Sequence, residues 1–168
     1  MARTERELLV LLPKPLDRRG ERRRSPLLEA VYLARRLAEA GLKGLVFAGA
    51  RKSAGLIARY AAHPLVRPYR AGYTARERRR LEADLKEGRV RVLVSTSALE
   101  LGVDIGELDA VVLVGYPGST AAFWQRAGRA GRGERRALLV YIPREDPMDE
   151  YFLHRPALLL ESPPEEAV

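Results

Sequence analysis

The stretch "TARERRRLEADLKEGRVRVLVST", residues 74–96, contains a helix pattern followed directly by a strand pattern. Thr74 and Glu77 have the spacing of a capping box, which predicts a helix that begins at this threonine. Two leucines four residues apart give the helix an apolar stripe, and Gly88 is the residue type that commonly ends a helix. The apolar run "VRVLVST" then predicts a buried strand over residues 90–96. The stretch therefore predicts one helix-and-strand unit of an α/β fold.

The same alternation of strands and helices extends in both directions along the chain. Further strands are predicted at residues 8–12, 44–48, 66–70, 110–114 and 137–142. Apolar residues at helical spacing predict further helices over residues 25–41 and 50–62. Because the strands are apolar almost throughout, we expect a sheet that is covered on both faces. The alternation predicts an α/β fold with a mostly parallel central sheet and right-handed crossover helices.

Most of the conspicuous glycines and polar residues follow the predicted strands. In a parallel sheet the carboxyl ends of the strands lie along one edge, and ligands bind beyond that edge. The segments expected there are residues 47–51, 70–73, 95–104 and 115–119. We call this carboxyl edge of the sheet the rim, and we expect the functional site to lie along it.

The chain of 168 residues is strongly basic, with a net charge of +8 and a pI near 10.2. A charge of this size favours a polyanionic partner, most often nucleic acid. All but four of the 30 basic residues are arginines. The planar guanidinium group suits phosphate recognition, but a GC-rich genome would produce the same bias. The arginine excess by itself does not decide between these two causes.

Other features of the composition exclude several classes of protein. The chain has no cysteine, which excludes disulfides and thiolate metal sites. His63 and His154 lie far apart, so no metal-ligand spacing is present and we expect no bound metal. No signal peptide or apolar run of 18 residues occurs, so we expect a cytoplasmic protein with no membrane partner. We expect one domain over residues 1–160, followed by an acidic tail or linker over 161–168.

No complete catalytic motif is present in the sequence. A P-loop of the form G-x-x-x-x-G-K-[ST] does not occur, and no Asp-Glu pair follows an apolar strand. A nucleotide-hydrolysing domain needs both, because they hold the phosphates and the Mg²⁺ ion of ATP. The nucleophile motif G-x-S-x-G is absent as well. We therefore expect the chain to be catalytically inactive alone.

The segment "AAFWQRAGRAGRG", residues 121–133, carries a regular set of polar residues. Gln125, Arg129 and Arg132 are separated by four and three residues, which places them on one face if the segment is helical. Gly128 lies among them, and a glycine in a helix indicates that a backbone or ligand approaches closely. The pattern predicts that this face points at a phosphate group. The alternative is a basic helix end whose arginines are solvated.

Three segments resemble the motifs of superfamily 2 helicases and occur in the order of that family. "GLVFAGARKSA" (44–54) resembles motif IV, "VLVSTSALELGVDIGELDAVVLVGYP" (92–117) resembles motif V, and "WQRAGRAGR" (124–132) resembles motif VI. The residues of the motif V segment and the later "DPMDEY" (146–151) are similar to the corresponding segments of a group of DExH-type DNA helicases. This group is related to the bacterial mitomycin-repair helicase and its fungal RecQ-like relatives. The resemblance covers residues 8–151. It implies a three-layer RecA-like domain, the C-terminal half of a helicase motor.

The resemblance implies that this chain works with a first RecA-like domain. That domain would bind the ATP phosphates through a P-loop and hold Mg²⁺, and this chain would contact the same ATP from across the cleft. Motif VI arginines neutralise the charge that builds on the transferred phosphoryl group. The resemblance gives this role to Arg129 and Arg132, with Gln125 oriented toward the phosphate. Gly128 would let the helix come near the other domain.

The motif V segment carries the remaining nucleotide contacts that the resemblance implies. Asp104 would bind the ribose hydroxyl groups, and Gly102 would make the sharp turn beside it. The alternative for Asp104 is capping of a local turn in "GVDIGELD", a common use of aspartate.

The resemblance also implies contacts with nucleic-acid phosphates at the rim. The implied residues are Ser95, Thr96, Arg51, Arg70 and Gly72. Contacts of this kind position a strand without reading its sequence. The alternative for Arg51 is a solvated helix start, and the arginines within residues 76–80 are most simply explained as a solvated helix face.

Three functional hypotheses follow. The first is the second motor domain of an ATP-dependent helicase, which acts with a P-loop domain of the same longer chain on single-stranded or partly duplex nucleic acid, DNA rather than RNA. The second is a stand-alone nucleic-acid-binding module derived from a helicase half, which would hydrolyse nothing. The third is an unrelated RecA-like domain that binds a nucleotide or phosphosugar, for which the spacing Q-x-x-G-R-x-G-R would be a coincidence.

Overall fold

A computed structural model of the chain describes residues 6–10, 25–48, 51–69, 72–95, 105–115 and 137–144. Its strands are β1 (Arg6–Val10), β2 (Gly44–Phe47), β3 (Val66–Tyr69), β4 (Val92–Ser95), β5 (Ala110–Val114) and β6 (Ala137–Ile142). Its helices are α1 (Pro26–Glu39), α2 (Arg51–Ala61) and α3 (Ala75–Glu87). Each of the first three strands is followed by one of these helices, as the sequence predicts.

The six strands form one sheet in the order β1-β6-β5-β2-β4-β3, and every neighbouring pair described is parallel. Strand β2 lies inside the sheet, where Leu45 is in register with Leu93 of β4 on one side and with Val111 of β5 on the other. Parallel neighbours need crossover connections, which helices commonly supply. The predicted α/β fold with a mostly parallel central sheet is confirmed.

The central strands are buried on both faces because helices cover the sheet from each side. Val46 lies in an apolar cluster with Ala34 of α1 and Ile57 of α2. Its neighbours Leu45 and Phe47 belong to a second cluster, which contains residues of α3. Successive side chains of a strand point to opposite faces. The nearly continuous apolar runs in the sequence therefore correspond to strands that helices cover on both faces of the sheet.

The ends of α3 agree with the capping pattern in the sequence. The Thr74 hydroxyl accepts a 3.1 Å hydrogen bond from the Glu77 N–H, and the Glu77 carboxylate accepts a 2.8 Å bond from the Thr74 N–H. Gly88 caps the other end with a φ of 83°, the left-handed conformation that suits glycine. The predicted capping box and the glycine cap are both confirmed.

Strand β1 begins earlier than the apolar run suggests. The run predicts a strand over residues 8–12, whereas the strand described is Arg6–Val10. Its pairing with β6 starts at Arg6, which is in register with Ala137. Charged residues are common on edge strands, so hydropathy alone places such a strand too far along the chain.

Strand β4 is shorter than the predicted strand over residues 90–96. The described strand is Val92–Ser95. The N–H of Val90 donates a 3.1 Å hydrogen bond to the carbonyl of Asp84, so Val90 still belongs to the turn that follows α3. The apolar run continues through this turn because Val90 is buried as well.

Strand β3 forms one edge of the sheet as far as the structure describes it, with β4 as its neighbour. In a parallel pair, alternate residues turn their amide groups toward the partner strand. In this register the main-chain N–H and C=O groups of Arg67 and Tyr69 face β4. The main-chain groups of Val66 and Pro68 face outward, away from β4. The N–H of Val66 donates to the His63 carbonyl at 3.1 Å, and proline has no N–H. Within β3 the outer edge therefore offers carbonyl acceptors but no free amide donor.

Candidate nucleotide and nucleic-acid site

The described part of the rim consists of the carboxyl ends of parallel strands. The last residues of β2, β4, β5 and β6 are Phe47, Ser95, Val114 and Ile142. Main-chain hydrogen bonds continue one residue beyond two of these strands. The N–H of Ala48 donates to the Ser95 carbonyl at 2.8 Å, and the N–H of Gly115 donates to the Ile142 carbonyl at 2.8 Å. The rim is therefore an ordered edge from β4 to β6.

The chain changes direction along the sheet between β2 and β5. From β2 it continues to β3 on one side, and from β5 it continues to β6 on the other side. Connections that leave neighbouring strands in opposite directions open a crevice, and α/β proteins bind ligands in such crevices. Residues 47–51 and 115–119, which the sequence places on the rim, directly follow these two strands.

Ser95 is the residue of the predicted phosphate contacts whose side-chain burial is described. It is the last residue of β4 and is 2% exposed. In register it lies beside Phe47 of β2 and Tyr69 of β3, whose side chains belong to the cluster on the α3 face. The Ser95 side chain is therefore covered by protein, and its contact with a phosphate stays a prediction.

Arg51 and Gly72 lie where the chain leaves the rim for a helix. Arg51 is the first residue of α2, and its side chain is outside the described part of the structure. Gly72 is exposed in the turn before α3, and a Cβ placed on it would meet no atom within 4 Å. A phosphate group therefore has room to approach the main chain at Gly72.

The other predicted site residues lie outside the described residues, and their roles stay predictions. They are Thr96, Arg70, Gly102, Asp104, Gln125, Gly128, Arg129 and Arg132. The residue that follows Asp104 is described: Ile105 is 4% exposed and belongs to the apolar cluster on the α3 face. This packing anchors the residue that follows Asp104 to the sheet.

A cation that the sequence motifs do not predict lies at the rim. Arg144 follows β6, and its Cδ lies 3.0 Å from the position that a Cβ on Gly115 would occupy. Gly115 has a φ of 81°, a conformation that other residues rarely adopt. Glycine alone combines this backbone with space for the arginine stem. In the sequence, the feature that could have indicated this contact is Gly115, a glycine that directly follows an apolar strand.

The charged residues near the far end of α3 neutralise one another. Arg89 donates a 2.8 Å hydrogen bond to the Asp84 carboxylate and a second bond to Glu87. The hydrogen bond with Asp84, followed by the one with Glu87, raises the pKa of the Arg89 guanidinium. This end of α3 therefore carries little net charge and lies away from the rim.

Two absences hold for the described ranges. None of the helices described there combines the length and the apolar character needed to cross a membrane. In the same ranges, no three side chains of His, Cys, Asp or Glu lie near enough to one another to hold a metal ion.

Residues 26–134 match the family described as helicase conserved C-terminal domain. The match extends from α1 through β5 and includes the motif VI segment. It covers more than half of the chain and therefore assigns the family.

Individual relatives agree with this match. The ATP-dependent helicase YprA of Bacillus subtilis is 38% identical over 94% of this chain, which spans 22% of YprA. The ATP-dependent helicase hrq1 of Schizosaccharomyces pombe is 36% identical over 84% of this chain, which spans 14% of that protein. The chain therefore corresponds to less than a quarter of the length of these relatives.

Solved structures show the same architecture. The DUF1998 helicase MrfA bound to DNA is 34% identical and superposes with a TM-score of 0.84 over 95% of this chain and 23% of MrfA. The C-terminal domain of the DEAD-box protein Dbp5 is 20% identical and has a TM-score of 0.65, over 94% of this chain and 84% of the Dbp5 domain. At 20% identity, the likeness to the Dbp5 domain shows a shared fold and nothing more.

Proposed function

Because this chain belongs to the family of helicase conserved C-terminal domains, we propose that it is the second motor domain of an ATP-dependent nucleic-acid helicase. The observation that carries the proposal is the family match over residues 26–134, on a parallel sheet whose rim collects the ends of β2, β4 and β5. The motif segments follow these strands, so one edge of the domain would carry both the nucleotide and the nucleic-acid contacts. We place its action in the cytoplasm.

We infer that ATP binds between this domain and a first RecA-like domain of the same longer protein. The first domain would supply the P-loop and hold Mg²⁺, because this chain contains neither a P-loop nor an Asp-Glu pair after an apolar strand. The relatives YprA and hrq1 are described as ATP-dependent and are several times longer than this chain, which supports such a partner.

Arg129 and Arg132 would act as arginine fingers in this shared site. Negative charge builds on the equatorial oxygens of the transferred phosphoryl group, and a guanidinium group neutralises it, which contributes about 10³–10⁵ in rate. Gln125 lies on the same predicted helical face and would orient toward the phosphate. Asp104 would hydrogen-bond the ribose hydroxyl groups, with Gly102 in the adjacent turn and Gly128 at the domain interface.

Nucleic acid would bind along the rim through Arg51, Ser95, Thr96 and the turn from Arg70 to Gly72. The net charge of +8 and the open space at Gly72 support phosphate contacts there. The relative MrfA was solved with DNA bound, which favours DNA as the partner. Closure of the two motor domains on ATP and their opening after hydrolysis would move the strand.

The experiment that tests the proposal measures ATP turnover by the complete helicase that contains this domain, with and without single-stranded DNA. Arg129→Ala and Arg132→Ala should each reduce turnover by about 10³-fold or more, with DNA binding retained. Arg126→Ala is the matched control, because residue 126 lies off the predicted helical face of 125, 129 and 132. Unchanged turnover in both finger variants would remove the arginine-finger assignment.

A second candidate is a stand-alone nucleic-acid-binding module, which the net charge of +8 supports. This module would bind single-stranded DNA and would not stimulate ATP hydrolysis by any P-loop domain. DNA binding by this chain, combined with no ATP turnover in the complete protein, would favour the module over the motor domain.

A further inference from the structure

A groove lies between α3 and the edge strand β3. It has a volume of about 450 Å³ and is open to solvent. Its lining residues are Arg67, Tyr73, Glu77, Arg80, Leu81, Asp84 and Val90. Tyr73 stands next to the N-cap of α3, so the groove begins at the rim and extends from there along the helix.

Two guanidinium groups in the groove are available to a ligand. Arg67 and Arg80 are exposed, and within the part of the chain that the structure describes neither guanidinium group makes a hydrogen bond or ion pair. The two carboxylates of the lining are engaged elsewhere. Glu77 is held by the capping box of α3, and Asp84 accepts the 2.8 Å hydrogen bond of Arg89. Arg89 balances the charge of Asp84, whereas Glu77 keeps its negative charge because the N–H that it accepts is neutral. The two guanidinium groups therefore leave the groove with a net positive charge toward an incoming anion.

A buried hydrogen bond joins the two walls of the groove. Tyr69 of β3 donates a 2.7 Å hydrogen bond to Glu82 of α3, and both residues are buried. Arg80 and Asp84 are four residues apart and so share one side of the helix. A preformed wall reduces the ordering cost of binding. The half-buried Tyr73 adds an aromatic ring at the end of the groove that adjoins the rim.

We propose that this groove binds a segment of the nucleic-acid strand where the strand enters or leaves the rim. Arg67 and Arg80 contact backbone phosphates, since a guanidinium fork matches phosphate geometry. The ring of Tyr73 stacks on a base, as aromatic side chains do in surfaces that bind single strands. Continuity with the rim and the adjacent ring favour a nucleic-acid strand over an acidic peptide. The inference rests on the proposed nucleic-acid function and extends its binding surface beyond the motif segments.

The test compares the chain with its Arg67→Ala/Arg80→Ala variant in binding to a fluorescent single-stranded oligonucleotide across a range of salt concentrations. Each lost phosphate contact on a single strand lowers the slope of log affinity against log salt by ~0.7. Two lost contacts lower it by ~1.4. Between about 50 and 200 mM salt, the affinity of the unsubstituted chain should therefore fall roughly sevenfold more than that of the variant.

Three further variants make the comparison specific. Arg36→Ala/Arg59→Ala removes the same charge from exposed positions on α1 and α2, which cover the opposite face of the sheet, and should leave the salt slope unchanged. Arg67→Lys/Arg80→Lys keeps the charge and should preserve the slope. Tyr73→Ala should weaken binding at least about fivefold while the slope stays the same.

The outcomes separate this proposal from the proposed function. Unchanged affinity and slope in Arg67→Ala/Arg80→Ala would overturn the groove and leave the rim as the binding surface. The same result combined with lost binding of a polyglutamate peptide would identify an acidic peptide as the ligand and also overturn the proposal. Absence of DNA binding by the unsubstituted chain would contradict the proposed nucleic-acid function and the groove together.

Discussion

The hydroxyl group of Tyr69 donates a 2.7 Å hydrogen bond to the carboxylate of Glu82. Tyr69 is the last residue of the edge strand β3, and Glu82 lies within α3, so the bond joins two consecutive elements across the turn that connects them. Both residues are 8% exposed. Among the strands described, β3 pairs with β4 alone, and this buried bond attaches the edge strand to α3 as well.

Tyr69→Phe should lower the free energy of unfolding by about 1–3 kcal/mol, because it takes a hydrogen-bond donor from the buried Glu82 carboxylate. Urea unfolding followed by circular dichroism measures the change. Tyr60→Phe is the matched control, since it removes the same hydroxyl from a side chain that is 59% exposed. The control should change stability by less than about 0.5 kcal/mol. Equal effects of the two substitutions would mean that the buried hydrogen bond does not stabilise the domain.

Thr74→Ala should destabilise the chain by about 1 kcal/mol, because the hydroxyl that accepts the Glu77 N–H is lost. Thr74→Ser keeps a hydroxyl at the same position and should recover most of that stability. Thermal unfolding of the two variants under identical conditions provides the comparison. If serine and alanine reduce the Tm equally, the capping bond is not the cause.

Gly115→Ala should destabilise the domain more than Gly41→Ala. Both glycines have a positive φ, 81° and 72°, so alanine incurs a backbone cost of about 1–2 kcal/mol at either position. A Cβ at position 41 meets no atom within 4 Å, whereas one at position 115 lies 3.0 Å from Cδ of Arg144. This overlap should add about 1–3 kcal/mol to the loss at Gly115. Urea unfolding of the two variants measures the difference.

Arg144→Ala, combined with Gly115→Ala, separates steric overlap from backbone strain. Without the arginine stem, the added Cβ has space, so the double variant should lose less stability than the two single variants together. A double-mutant cycle gives this coupling energy directly. If the stability losses of the two single variants add up to that of the double variant, the cost of Gly115→Ala comes from backbone strain alone.

Asp104→Ala should raise the KM for ATP of the complete helicase by roughly tenfold or more, because hydrogen bonds from the ribose hydroxyls to a charged carboxylate would be lost. Glu107→Ala is the control, since it removes an exposed carboxylate three residues away. The unsubstituted enzyme should also discriminate against 2′-deoxy-ATP, and the Asp104 variant should not. Equal discrimination by both enzymes would assign ribose recognition to another residue.

The parts of the fold that depend on local hydrogen bonds could be predicted from the sequence. The capping box at Thr74 and the glycine cap at Gly88 involve residues only a few positions apart, so the sequence carries all of their determinants. The order of the strands could not be predicted in the same way. Every central strand has the same apolar pattern, and the neighbours of β2 are fixed by pairing between distant segments.

Within the candidate site, the position of Ser95 could be predicted from the sequence, but its surroundings could not. The sequence places Ser95 at the end of a strand, and the structure confirms that position. Its burial depends on Phe47 and Tyr69, which reach it only through the pairing of three strands. Arg144 was missed for a similar reason, because its contact with Gly115 exists only where β5 and β6 are neighbours.

The outer edge of β3 has a consequence for self-association of the chain. A second molecule that added a strand there could donate its amides to the carbonyls of Val66 and Pro68, but its own carbonyl groups would find no free amide donor on β3. Exposed strand edges are the usual starting points of aggregation and cross-β fibrils. The unpaired carbonyls of an added strand make this edge a poor template. Among the strands described, the other edge of the sheet is β1.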